Sequence, residues 1–272
     1  MGTISKALDL LSHFSSTRSQ IGLTEFVTLT RRDKATVHRH LSELEQNGFL
    51  EQHPQTRAYR LGPALLRLAA VREAAFPMRA LLRPIVKDLS DAVGELAHAS
   101  LLQGDRLSPV AHSDPRRHGT QVHFDESEML PLHATSSGLA VLAFAPDELR
   151  NRILTGPLSM HTSQTITDAT QILALLDEVR QTGIGRLNRA FDEEVFSQGA
   201  PLFGEGGRVL GAISVAVPTA RANPDRQDDT AKCLAVAARA ASLSFGAREN
   251  DLPAVLVQAP CAGLKSQKEV RT

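Results

Sequence analysis

Between residues 33 and 61 the sequence leaves the backbone few choices. Asp33 is an expected helix N-cap, and Val37, Leu41 and Leu44 follow at the spacing of one buried helical face. Asn47-Gly48 then supplies a left-handed stop. Two short extended runs come next, Phe49–His53 and Arg57–Leu61, flanking a turn at Pro54-Gln55-Thr56, which reads as a hairpin. Upstream, Ile4, Ala7, Leu8, Leu11 and Phe14 mark a first amphipathic helix, ended by Ser15, Ser16 and Thr17. A short second helix is expected over Leu23–Leu29, with Thr24 as its cap. Three helices and a hairpin within residues 1–62 is the order of a winged helix-turn-helix domain.

Charge adds a function to that order. Over the whole chain 30 basic residues balance 30 acidic ones, so net charge says nothing about partners. Residues 31–39 are different: four basic residues against one acidic give +3 in nine positions, at the turn and start of the third helix. A solvated basic face is the plain alternative, but here the charge falls on the helix that such a motif lays in the major groove. The DNA-binding candidates are Arg31, Arg32, Lys34, Ala35, Thr36, His38 and Arg39, joined by Arg57, Tyr59 and Arg60 in the hairpin. Arginine reads guanine and small or methyl-bearing side chains contact thymine methyl groups, while hairpin cations suit phosphate. His38 and His40 are read as exposed histidines with no metal role.

Residues 63–93 read as a helical linker, one helix to about Ala75 and another over Met78–Val93, with Pro77 and Pro84 as interruptions and Leu65, Leu68 and Ala69 on one face. From residue 94 to 248 the pattern becomes mixed. Strands are expected over Leu96–Leu102 and Arg106–His112 around Gly104-Asp105, then over Ile184–Phe191, Phe196–Phe203 and Val209–Val217. Helices are expected over Ser136–Phe144, after Pro146, and after Thr167 as a cap, the last stopped by Gly183. Asn223-Pro224-Asp225 opens a long helix whose buried face is Ala231, Leu234, Ala235, Ala238, Ala241 and Phe245. Residues 249–272 read as a flexible tail.

Several chemistries lose support. Two cysteines, Cys233 and Cys261, are too few for a disulfide framework or a cysteine zinc site. His112, His118 and His123 do not share a helical face and lack a metal-ligand pattern. Gly204-Glu205-Gly206-Gly207 reads as a turn, since no lysine-serine or lysine-threonine pair follows it. No Ser-x-x-Lys or Gly-x-Ser-x-Gly nucleophile motif occurs, so no catalytic residue, metal or cofactor is assigned. Trp is absent and Tyr occurs once, which argues against stacking platforms for single strands. No signal peptide or membrane span is read, and a cytoplasmic location is expected.

The chain resembles the IclR family of bacterial transcription regulators. The resemblance runs through residues 4–62, including Thr36-Val37-His38-Arg39-His40-Leu41, Leu44-Glu45-Gln46-Asn47-Gly48-Phe49-Leu50 and Tyr59-Arg60-Leu61-Gly62. It continues in Leu130-Pro131-Leu132-His133-Ala134-Thr135-Ser136-Ser137-Gly138-Leu139, Ala200-Pro201-Leu202-Phe203 and Gly211-Ala212-Ile213-Ser214-Val215-Ala216-Val217-Pro218. It implies an α+β chain: a winged helix-turn-helix, a helical linker and a GAF-like effector-binding domain. It also implies a homodimer or homotetramer and small organic acids as effectors.

Read from the residues, Ser136 or Ser137 caps a helix whose N-terminus suits a carboxylate, and Gly138 lets a ligand approach the backbone. The resemblance adds that positions matching Asp192, Ser197 and Ser214 line the effector cavity beside Ser136–Gly138. Asp192 would accept a hydrogen bond from a ligand hydroxyl. The expected function is a regulator, a repressor in sign, that binds double-stranded operator DNA with an affinity set by a small organic acid. The alternatives weighed are an enzyme with an appended DNA-binding domain and a structural DNA-binding dimer that senses nothing.

Overall fold

The structure is a computed structural model and describes residues 2–258. The chain divides into two compact units between Pro77 and Met78, inside the expected linker.

The first unit holds α1 (Thr3–Leu11), α2 (Leu23–Thr30), α3 (Lys34–Gln46), β1 (Leu50–Gln52), β2 (Tyr59–Leu61) and α4 (Ala64–Ala75). Its core is Leu10, Ile21, Phe26, Val37, Leu41, Leu44, Leu50 and Tyr59. The apolar period of α3 thus lies inward, as its spacing predicts. Asp33 caps α3, its Oδ1 accepting from Thr36 N–H at 2.8 Å. At the other end Gly48 has φ +73°, and Gly62 packs so close that a Cβ there would meet Gly48 O at 2.3 Å. That contact holds the hairpin against the end of α3. The cap of α2 is Gly22 rather than Thr24, and it makes no side-chain cap bond.

The second unit contains a six-stranded antiparallel sheet in the order β5-β4-β3-β8-β7-β6. Its strands are β3 (Leu96–Gln103), β4 (Arg106–Ser113), β5 (Leu130–Pro131), β6 (Gly185–Asn188), β7 (Val195–Phe203) and β8 (Val209–Pro218). Its main helices are α5 (Met78–Val93), α6 (Ser136–Phe144), α7 (Asp147–Thr155), α8 (Ala169–Thr182) and α9 (Pro224–Ser244). Strand alternation divides the core. Ala97, Ala99, Ile213 and Val215 face a layer with Leu82, Val86, Leu89, Leu234 and Ala238 of α5 and α9. The opposite layer centres on Leu139, Leu142, Ile172, Leu176 and Val179 of α6 and α8. A central antiparallel sheet with helices on both faces is consistent with the GAF-like expectation.

Local details differ from the sequence reading. The cap of α6 is Thr135, not Ser136 or Ser137: its Oγ1 accepts from Gly138 N–H at 3.0 Å and donates to Pro131 O at 2.8 Å. The cap of α8 is Asp168 rather than Thr167. In α9, Ala231 is only partly buried, as is Phe245 just past its end, while Ala237 and Ser242 are fully buried. Strand β6 ends at Asn188, because Arg189 turns to φ +57°. Residues 249–258, expected to fray, carry α10 (Ala254–Val257) and bury Leu252 and Leu256 in the core. The rest of that expected tail, with Cys261, lies outside the described residues.

Candidate functional site

On α3, Lys34, Ala35, His38 and Arg39 are exposed, and Thr36 is half-buried with its N–H committed to the cap. Arg31 is exposed in the left-handed residue that ends α2. Arg32 plays a different part. Its guanidinium donates to Asp9 Oδ2 at 2.8 Å and to Lys6 O at 2.9 Å, fixing the start of α3 to α1. In the wing Arg57 is exposed, and Arg60 is exposed while paired with Glu51 at 2.8 Å.

Two expectations fail here. Tyr59 is buried, not offered to DNA: its ring meets Phe26 edge-on, and its backbone bridges to Ile21. His40 is buried too, at 3% exposure, with neither ring nitrogen hydrogen-bonded among the described residues. Burial first, then the positive Arg39, Arg32 and Lys6, push its imidazole below the usual range. It is a neutral core residue, and His38 alone of the two is exposed.

In the second unit a cavity of about 330 Å³ lies against the α6 side of the sheet. Its floor is Leu96 and His98 of β3, Ser197 of β7 and Ala216 of β8, with Thr135, Ser136 and Ser137 at the start of α6. Loop residues His123, Phe124, Asp125, Glu128, His161, Phe191 and Asp192 form much of the wall, with Val122, Leu130, Ala190 and Val195 between them. His98 stacks on Phe124 with ring centroids 4.7 Å apart, and its Nδ1 lies 3.3 Å from Ser100 Oγ. Burial, with a smaller push from His112, lowers its pKa to about 4, so it is neutral near pH 7. His161 sits against Phe191 at 5.0 Å, and burial, then His133, lowers its pKa.

Of the six residues expected at this site, Ser136, Ser137, Asp192 and Ser197 line the cavity. Asp192 Oδ1 already accepts from Glu194 N–H at 2.8 Å. Ser214 is not in the wall. It pairs across the sheet with His98 and Gly199, is buried, and has no partner for its Oγ among the described residues. Gly138 has another purpose than ligand approach. A Cβ there would meet Leu132 O at 2.3 Å, so the missing side chain lets α6 pack on the Leu132 backbone.

A family model for the bacterial transcriptional regulator IclR C-terminal region matches residues 74–243, and one for the IclR helix-turn-helix domain matches residues 3–54. The chain belongs to the IclR family. It is an IclR-type DNA-binding transcriptional regulator, and the helix-turn-helix match covers α1 to β1 of the surface above, ending before Arg57 and Arg60. Among its relatives, the HTH-type transcriptional regulator BhcR of Paracoccus denitrificans is 30% identical over 247 residues, covering 89% of this chain and 86% of BhcR. A crystal structure assigned to the IclR regulators, from Silicibacter sp. TM1040, has a TM-score of 0.84 at 42% identity and covers 91% of this chain and 97% of that one. An IclR homolog complexed with 4-hydroxybenzoate, from Microbacterium hydrocarbonoxydans, shares the fold with a TM-score of 0.74 at 23% identity, covering 90% and 99%. The named relatives are regulators, so the enzyme alternative falls. Among the described residues no helix is long and apolar enough to cross a membrane.

What the sequence reading of this IclR-type chain missed is mostly apolar wall: Leu96, His98, Phe124, Phe191 and Ala216. The only signal for Phe124 was a lone aromatic in a polar stretch without period. His98 was hidden in a strand, where one histidine among apolar neighbours reads as core.

Proposed function

We propose that this regulator represses transcription from an operator it binds as a homodimer, and that a small organic acid in the second unit's cavity changes its DNA affinity. Lys34, Ala35, Thr36, His38 and Arg39 then meet base edges at the exposed start of α3, while Arg31, Arg57 and Arg60 meet phosphate. Arg32 belongs to the scaffold of that surface, because its guanidinium is already tied to Lys6 and Asp9 of α1.

The observation that carries the sensing part is the cavity itself. Its volume, about 330 Å³, is at the small-ligand end of known pockets, and its wall joins apolar groups to a few polar ones. Its polar end is the first turn of α6, where helix N–H groups without intrahelical partners favour an anion. The 4-hydroxybenzoate bound by the Microbacterium homolog is an acid of the same class.

The test uses the full-length protein with its operator and a panel of small acids, read by fluorescence anisotropy and thermal melting. An effector should raise the melting temperature by mass action and alter operator affinity, since a ligand shifts an equilibrium only through differential binding. Ala216→Leu, which fills the cavity floor, should abolish both effects while the unliganded protein still binds DNA. An acid that acts equally on wild type and Ala216→Leu binds elsewhere. Deleting the gene should raise transcription from the bound promoter; a fall would reverse the sign.

A further inference from the structure

The charges around the cavity are one-sided. Three carboxylates line it, Asp125 and Glu128 on one loop and Asp192 on another, and no lysine or arginine among the described residues does. Of the three histidines in the wall, His98 is buried and neutral near pH 7, burial disfavours the charged form of His161, and His123 is exposed, against three carboxylates. Asp192 spends Oδ1 on the Glu194 N–H and has no partner for its second oxygen among the described residues.

The opposite polarity is confined to the sheet floor and the start of α6. There Gly199 lets the sheet pack directly on the helix start: a Cβ would lie 2.7 Å from Ser214 Oγ and 2.8 Å from Ser137 N. The Ser136 and Ser137 N–H groups at that helix start have no intrahelical partner, and both residues line the cavity. The cavity therefore offers donors for one anionic group and acceptors for whatever lies at the ligand's other end.

We propose that the effector is a monocarboxylate whose far end donates hydrogen bonds, through a hydroxyl or an ammonium group, and that dicarboxylates are excluded. This rests on the acid-sensing reading above. The carboxylate lies on the Ser136 and Ser137 N–H groups. The far end is held by Asp192 and Glu128. A second carboxylate would be brought against these two and Asp125 without a cation to accompany it, and such like-charge contact is how a site rejects a wrong partner.

Calorimetric titration of the full-length protein with matched probes tests this. The pairs are 4-hydroxybenzoate against terephthalate, and 4-hydroxybutanoate or 4-aminobutanoate against succinate. Within any pair that binds, the donor-ended acid should bind at least about tenfold more tightly. Glu128→Gln with Asp192→Asn, both at exposed positions, should narrow that gap by strengthening the dicarboxylate. The amide oxygen introduced by Asp192→Asn can still accept from the Glu194 N–H, and Glu128→Gln alone serves if the double variant melts early. A dicarboxylate that binds as tightly as its partner, or a gap unmoved by the substitutions, overturns the inference while leaving acid sensing intact. If no acid of either kind binds or shifts the melting temperature, acid sensing itself has failed, and this inference with it.

Discussion

Arg57 and Tyr59 are two residues apart in the wing, yet one is exposed and the other is core. Strand alternation alone would place them on the same face; Arg57 escapes because it sits in the turn with φ +58°. Arg57→Ala should therefore weaken binding to all sequences alike and lower the salt slope by about one, as a lost phosphate contact does. Arg39→Ala should cost about 1–3 kcal/mol on the specific site and relax base preference there. Anisotropy titrations at several salt concentrations separate the two; an Arg39→Ala protein with unchanged base preference would remove α3 from the major groove. His98 makes a separate prediction at this scale. Its folded pKa of about 4 lies below the ordinary 6.5, so the unfolded chain takes up the proton first as pH falls. Its neutral burial gives stability that is full above pH 6.5 and lost between there and about 4. The gap corresponds to about 3 kcal/mol. Melting curves across that range should be flatter for His98→Leu; an equally steep profile would mean that other groups govern acid sensitivity.

At the scale of the element, α6 is decided by the residue it lacks. Gly138→Val puts a methyl-bearing carbon where Leu132 backbone already lies, 2.3 Å from its carbonyl oxygen, so the helix must move. The expected result is a loss of about 1–3 kcal/mol or more in unliganded stability. A variant that melts like wild type would show that α6 can slide. This element also marks what could be read in advance. The limits of α6 and the caps of α3 and α9 follow from a few adjacent residues, as Asp33 and Asn223 show by accepting from Thr36 and Arg226 N–H. The role of Gly138 could not, because its reason is a backbone contact from Leu132, outside the helix. Similarly Ser136 and Ser137 follow from the start of a helix, and Asp192 and Ser197 from the family resemblance, whereas Phe124 reaches the cavity only because a loop without period folds over His98. Thr135 displaced the serines as cap because a hydroxyl one residue earlier reaches both Gly138 N–H and Pro131 O.

At the scale of the molecule, the unexplained feature is α4. Leu66 is 76% exposed, Val71 61% and Phe76 65%, and Leu68 is exposed as well. On α1, Ile4 and Leu8 are also exposed, at 77% and 55%. Such apolar surface on one small unit marks an association site more often than idle surface. A second copy of this chain is the occupant that helix-turn-helix physics favours, because one recognition helix reads few base pairs and two half-sites multiply specificity. The exposed side of α4 is then part of the interface. Wild-type protein should sediment at about twice the 29.4 kDa chain mass or a higher multiple. Leu66→Glu with Val71→Glu should lower the mass of the assembly, because two charges are costly in an apolar interface. The melting temperature of each folded unit should change little, since both side chains already face solvent. Operator affinity should fall by more than tenfold while weak nonspecific binding persists, because the basic surface of α3 is untouched. If wild type is a monomer at micromolar concentration, or if the variant keeps both its mass and its operator affinity, α4 is not the interface, and the exposed leucines need another partner.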